Sequence, residues 1–79
     1  MYKADEDRLC TLLHDLLQLD TMKGVEDLNQ KNCPKWDSLA QMSLISILEN
    51  EFSISIGIED FDELTSYASI KKMLIKKGI

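Results

Sequence analysis

Reactive side chains are few in this chain and gather in four places. The stretch KWDSLAQMSL, residues 35–44, sets Ser38 between an acid and a leucine where a helix is predicted to begin. Two arrangements suit that hydroxyl. In the first, Ser38 and Gln41 form a capping box, the serine accepting from the amide three residues on while the glutamine reaches back. In the second, Asp37 caps the helix and the Ser38 hydroxyl stands free at the first helical position. An anionic ester there would sit among unpaired amides at the positive end of the helix dipole. Spacing alone favours the first, because such caps are common.

The other three groups are weaker. Cys10 and His14 are neighbours one helical turn apart, and Cys33 is the only further soft ligand, in a segment predicted to be mobile. Zinc needs a fuller set, so no metal site is expected. A Ser38–His14–Asp15 triad is not expected either, because adjacent residues on a helix point apart and Asp15 would not orient His14. Glu59, Asp60, Asp62 and Glu63 crowd one turn. They lack the central glycine and the distant closing glutamate of a calcium loop, which leaves a solvated acidic face. No residue set here is a catalytic apparatus.

The elements that must position these groups are mostly helical. Leu9, Leu12, Leu13, Leu16 and Leu17 form one stripe on a helix predicted over residues 4–18, with Asp5, Glu6 and Asp7 in its first turn. Residues 19–37 break the periodicity with Gly24, Asn29, Asn32 and Pro34, and Met22, Val25 and Leu28 are their apolar anchors. They read as a long loop holding one helical turn, and a loop of that length in so small a chain tends to be functional. A second helix spans 38–52. Its wheel gathers Ala40, Leu44, Ile47 and Leu48 on one face, with Ile45 and Phe52 at the edge, and Ser38, Leu39, Met42, Ser46 and Glu49 opposite. Leu39 and Met42 beside the serine make it more apolar than one core requires, which predicts a contact surface. FSISIGI, residues 52–58, alternates like a strand but has no partner strand. It is predicted to be extended, with Ile54, Ile56 or Ile58 turned inward. A short helical turn follows over 59–64. Thr65 or Ser66 then caps a last helix striped by Tyr67, Ile70, Met73 and Leu74. The predicted fold is all-α: three main helices, a long first loop and a short extra turn.

Composition bounds what such a fold can do. Seventy-nine residues make one domain, 1–79, too small to build a deep catalytic cavity. Hydrophobic residues are 44% and aromatics only 6%, so the core is folded and aliphatic. All 14 acids lie in residues 1–66 beside five basic residues. Residues 67–79 hold Lys71, Lys72, Lys76 and Lys77 and no acid, as suits the end of a helix. An acidic body repels phosphate, which argues against nucleic acid and for basic patches on other proteins. Two cysteines are too few for a disulfide framework and fit reduced thiols in the cytoplasm. MYKADEDRL has no apolar leader core, and no run approaches membrane-spanning length.

Asp37-Ser38-Leu39 at the head of a helix ending Glu49-Asn50-Glu51-Phe52 resembles the acyl carrier protein family. The likeness runs through nearly the whole chain: the leucine-striped first helix, the long loop, the DSL serine, the F-x-I-x-I exit and the Thr-Ser-capped last helix. It implies that Ser38 carries 4′-phosphopantetheine, transferred from coenzyme A by a phosphopantetheinyl transferase that reads Asp37 and Leu39. The arm's thiol then holds acyl or aminoacyl groups as thioesters, loaded and consumed by partner synthases and transferases, while the monomeric carrier supplies address and effective concentration. Leu39, Met42, Glu49, Glu59, Asp60 and Asp62 are the implied docking residues. Ala40 and Ser43 stand where fatty-acid carriers show exposed acids, Gly57-Ile58 replaces the usual proline, and Trp36 is similar to stand-alone carriers of dedicated pathways. Together these imply polyketide, modified-sugar or aminoacyl chemistry rather than housekeeping lipid synthesis. Two other classes remain: an unmodified acidic interaction module in which Ser38 only caps, and a small hydrolase using Ser38.

Overall fold

A computed structural model describes all 79 residues. Three α-helices, α1 (Lys3–Leu16), α2 (Ser38–Phe52) and α3 (Tyr67–Lys76), alternate with two 3₁₀ turns, Val25–Asp27 and Ile58–Glu63. The chain is all-α, as expected, and none of its helices is long and apolar enough to cross a membrane.

Helix α1 stops at Leu16, two residues short of the expected end at residue 18 and one before the last leucine of its stripe. Gln18 takes a left-handed conformation, φ 51°, and the Leu19 amide donates back to the His14 carbonyl. That is a Schellman stop made without glycine, so the sequence carries no signal for it. The same closure ends α3, where Gly78 has φ 97° and the Ile79 amide reaches the Leu74 carbonyl. There the glycine is the residue that adopts a positive φ without strain.

The core is one cluster, mostly aliphatic as expected but with Trp36, Phe52 and Tyr67 buried in it. Leu9, Leu13 and Leu17 of the first stripe are buried, while Leu12 and Leu16 are only half-buried. Leu44 and Leu48 of α2 and Tyr67, Ile70, Met73 and Leu74 of α3 join them, with Val25, Ile56 and Leu64 from the connecting segments. Arg8 donates to the Glu51 carbonyl and lies over the Phe52 ring at 4.8 Å, so the start of α1 meets the end of α2. Beyond the opposite ends, Lys35 donates to the Gln18 carbonyl at 3.0 Å, so the two helices run antiparallel. The exit from α2 is extended, as expected, and Ile56 is the isoleucine that turns fully inward; Ile58 is 94% exposed.

Several expectations change here. The 19–37 segment is tied down: the Gln30 amide donates to the Thr65 carbonyl at 2.9 Å, and the Tyr67 amide to the Leu28 carbonyl at 3.0 Å. Its anchors are Val25, Cys33 and Trp36, all buried, whereas Met22 is exposed. Cys33 is therefore a core residue rather than part of a mobile loop. Cys10 is likewise buried instead of lying on a helix flank, and neither thiol is in a disulfide. Burial raises the Cys10 thiol above its ordinary pKa, with the neighbouring Tyr67 phenol pulling the other way. A buried thiol held protonated is a weak nucleophile and a weak ligand. Asp15 does meet His14, its carboxylate 3.2 Å from Nδ1, because an exposed side chain at a helix end is free to fold back. No hydrogen bond links either of them to Ser38.

Two ion pairs hold α3 in place. Lys71 meets Glu6 of α1, and Lys77 meets Asp60 of the second 3₁₀ turn at 2.9 Å. Two of the four clustered lysines are thus spent on pairs within the fold rather than on the helix dipole alone. The Glu6 carboxyl is held below its ordinary pKa of 4.5 by hydrogen bonding and charge from Lys71. Asp60 is held below 3.8 first by Lys77 and then by the Gly57 amide. A carboxylate whose pKa falls on folding stabilises the fold above its unfolded pKa and loses that contribution as pH drops toward the folded one. The thermal midpoint should therefore be level above about pH 5 and decline below it. Melting curves with Lys77→Met alongside check this: the variant should show a shallower acid decline, and an unchanged one would discount the Asp60 pair.

Candidate functional site

The head of α2 is built from the segment before it. Asp37 is the N-cap: its backbone is extended, and its Oδ1 accepts from the Ala40 amide at 2.9 Å. The capping box between Ser38 and Gln41 does not form. Asp37, one position earlier, takes the Ala40 amide with a full negative charge at the positive end of the helix, and the Gln41 amide that the box would need goes to the Asp37 backbone carbonyl.

Ser38 is the first helical residue. It is exposed, and its hydroxyl has no protein partner. The Ser38 and Leu39 amides face no helical carbonyl, since the first backbone bond of the helix runs from the Gln41 amide to the Asp37 carbonyl. A phosphodiester on Ser38 Oγ fits this corner: the hydroxyl is unengaged, and two amides remain unpaired beside it.

Two side chains fix this corner against the rest of the fold. Trp36, two residues before Ser38, is only 2% exposed, and its Nε1 donates to the Leu64 carbonyl at 2.9 Å. Gln41 is 5% exposed, and its Nε2 donates to the Phe61 carbonyl at 2.7 Å. Its Oε1 accepts from Gln30 Nε2 at 2.8 Å. The amide of Gln41 thus joins α2 to both the long loop and the second 3₁₀ turn. Sequence reading missed Gln41 in this role. The available signal was its place on the wheel, an amide beside Leu44 and Leu48 on the inward face.

The residues expected around the serine divide into two sets. Leu39 is 73% and Met42 59% exposed, and Glu59 and Asp62 are exposed too. Glu49 and Asp60 are half-buried and engaged internally. Glu49 accepts from the Ile56 amide at 2.9 Å, and Asp60 accepts from the Gly57 amide while pairing with Lys77. Ala40 is buried, so its place on the helix is not an exposed one, whereas Ser43 is exposed.

Comparison with known proteins bears on this corner directly. Residues 36–74 match the family model described as the phosphopantetheine attachment site. The match opens on Trp36 and spans α2, the second 3₁₀ turn and α3 as far as Leu74. A search of curated proteins and a search of solved structures each gave no match. The helical bundle, the capped corner and the match over residues 36–74 together support an acyl-carrier-protein-like carrier domain, the matched model being the site of covalent 4′-phosphopantetheine attachment.

Proposed function

We propose that Ser38 is the attachment point and that residues 1–79 act as one monomeric acyl or aminoacyl carrier. The observation that supports this most is the free, exposed Ser38 hydroxyl at the first helical position, with Asp37 taking the cap beside it. The bound arm supplies a thiol that holds an acyl group as a thioester, keeping its carbonyl carbon open to attack. The chain's own residues present and aim that arm. Asp37 and Trp36 hold the corner, and partner enzymes supply the acids, bases and nucleophiles. The carrier itself turns nothing over.

Leu39 and Met42 form an apolar patch beside the arm, with Glu59 and Asp62 as exposed acids for basic partners. Glu49 and Asp60 support that surface from within rather than offering free charge. The partners in this reading are a phosphopantetheinyl transferase, a loading enzyme and downstream synthases or transferases. They meet the carrier in the cytoplasm, where coenzyme A is available and Cys10 and Cys33 stay free thiols. A surface led by leucine and methionine suits a dedicated pathway more than housekeeping fatty-acid synthesis.

Intact mass after incubation with coenzyme A, magnesium and a broad-specificity transferase tests the reading. A gain of one phosphopantetheine group is expected. No gain on a folded chain would make the acidic interaction module the leading account. Leu39→Asp should change stability by less than about 0.5 kcal/mol, as exposed substitutions usually do, yet slow modification clearly. Denaturation and modification kinetics on one sample check this. A large stability loss with normal kinetics would place Leu39 in the core.

A further inference from the structure

We propose that Gln41 determines the class of cargo: its bonded amide bars an alkyl chain carried on Ser38 from the seam between α2 and the second 3₁₀ turn, so the carrier holds short or polar acyl groups that stay in solvent. This rests on Ser38 being the attachment point.

Gln41 lies one turn below Ser38, on the core side. At 100° per residue it sits about 60° round the helix from Ser38, toward Leu48 at about 80° and Leu44 at about 120°. On this side of α2, Gln41 is the first buried residue below Ser38. Its amide is engaged at both ends, the nitrogen donating to the Phe61 carbonyl and the oxygen accepting from Gln30. Half-buried Ile45 and Phe61 pack against the core beside it. Prising this seam open would orphan the Gln41 amide, the Phe61 carbonyl and the Gln30 amide against apolar neighbours. Trp36 locks the same segment one turn further on through the Leu64 carbonyl. An apolar residue at position 41 would part without that penalty. A polar bridge on the core side of α2 beside Ser38 therefore selects against long apolar cargo entering there.

The molecule offers another apolar surface, an open groove of about 610 Å³ between α1 and α2 lined by Leu12, Leu16 and Ile47. It borders Ile47, nine residues along α2 from Ser38 and on the far side of the wheel, and Arg8 and Glu51 also line it.

The test uses intact protein loaded with acetyl- or octanoyl-phosphopantetheine from the matching coenzyme A thioesters. Thioester hydrolysis is followed by mass, and amide shifts by NMR. In the native chain both thioesters should hydrolyse at similar rates, with the Gln41 side-chain amide signals unmoved by octanoyl. In Gln41→Leu the octanoyl thioester should hydrolyse at least about tenfold more slowly than the acetyl one, the protection expected from burying about two methylenes. Slow octanoyl hydrolysis in the native chain overturns the proposal, whether the shifts appear at Gln41 or at Leu12 and Ile47. A folded Gln41→Leu without protection also overturns it. Should that variant not fold, the native chain's rates and shifts still decide. Failure of the carrier reading looks different, since no phosphopantetheine would then be added at all.

Discussion

Ser38→Ala should leave the fold intact and remove phosphopantetheine loading altogether. The expectation of an intact fold comes from the cap. Asp37, not Ser38, holds the Ala40 amide, and the Ser38 hydroxyl bonds nothing in the protein. An exposed first-turn serine replaced by alanine should change stability by less than about 0.5 kcal/mol. Asp37→Ala is the contrast: losing an N-cap of this kind costs about 1 kcal/mol. Urea denaturation of both variants beside the parent, with intact mass after transferase treatment, separates the two roles. A loss of several kcal/mol from Ser38→Ala would mean the serine is a structural residue and would sink the carrier reading. Full loading of Ser38→Ala would move the attachment point elsewhere.

Trp36→Ala should be the most destabilising substitution in the segment leading to α2. The indole is buried to 2% exposure, and removing so large a side chain from a core costs about 3–5 kcal/mol. The Leu64 carbonyl would also lose its donor. Stabilities of natural domains run from about 5 to 15 kcal/mol, so this one change removes a large part of the margin. Trp36→Phe separates packing from bonding. It keeps most of the fill but drops the indole N–H, and should cost about 1–3 kcal/mol, the penalty of one unpaired buried group. Because Asp37 and Ser38 remain in place, Trp36→Phe should still be loaded. Guanidinium denaturation checks the order. Equal, small effects of the two variants would mean that the indole does not carry the corner.

How far the sequence reached depends on whether the signal was local. The helical stripes of Leu9, Leu13 and Leu17 and of Tyr67, Ile70, Met73 and Leu74 set the fold class, because burying one face of a helix needs only a 3.6-residue period. The DSL motif at a helix start located the candidate site for the same reason: a cap and a first-turn hydroxyl are neighbours in the chain. The cap of α3 was legible to within one residue: Thr65 or Ser66 was expected, and Ser66 takes it, its Oγ accepting from the Ser69 amide at 3.1 Å.

What the tertiary structure alone decided involves partners far apart in sequence. The choice between Asp37 and Ser38 as the cap of α2 turned on backbone geometry, since spacing allows both assignments. Glu49 and Asp60 looked like free surface acids until the chain folded back to set the Ile56 amide, the Gly57 amide and Lys77 against them. Cys33 and Trp36 sit in a segment without periodicity, so nothing local marked them as buried. They are buried because Thr65 and Tyr67 zip that segment to the start of α3. Gln41 has the same lesson in its sharpest form: an amide on an inward helical face needs partners, and only the fold could bring Gln30 and the Phe61 carbonyl to it.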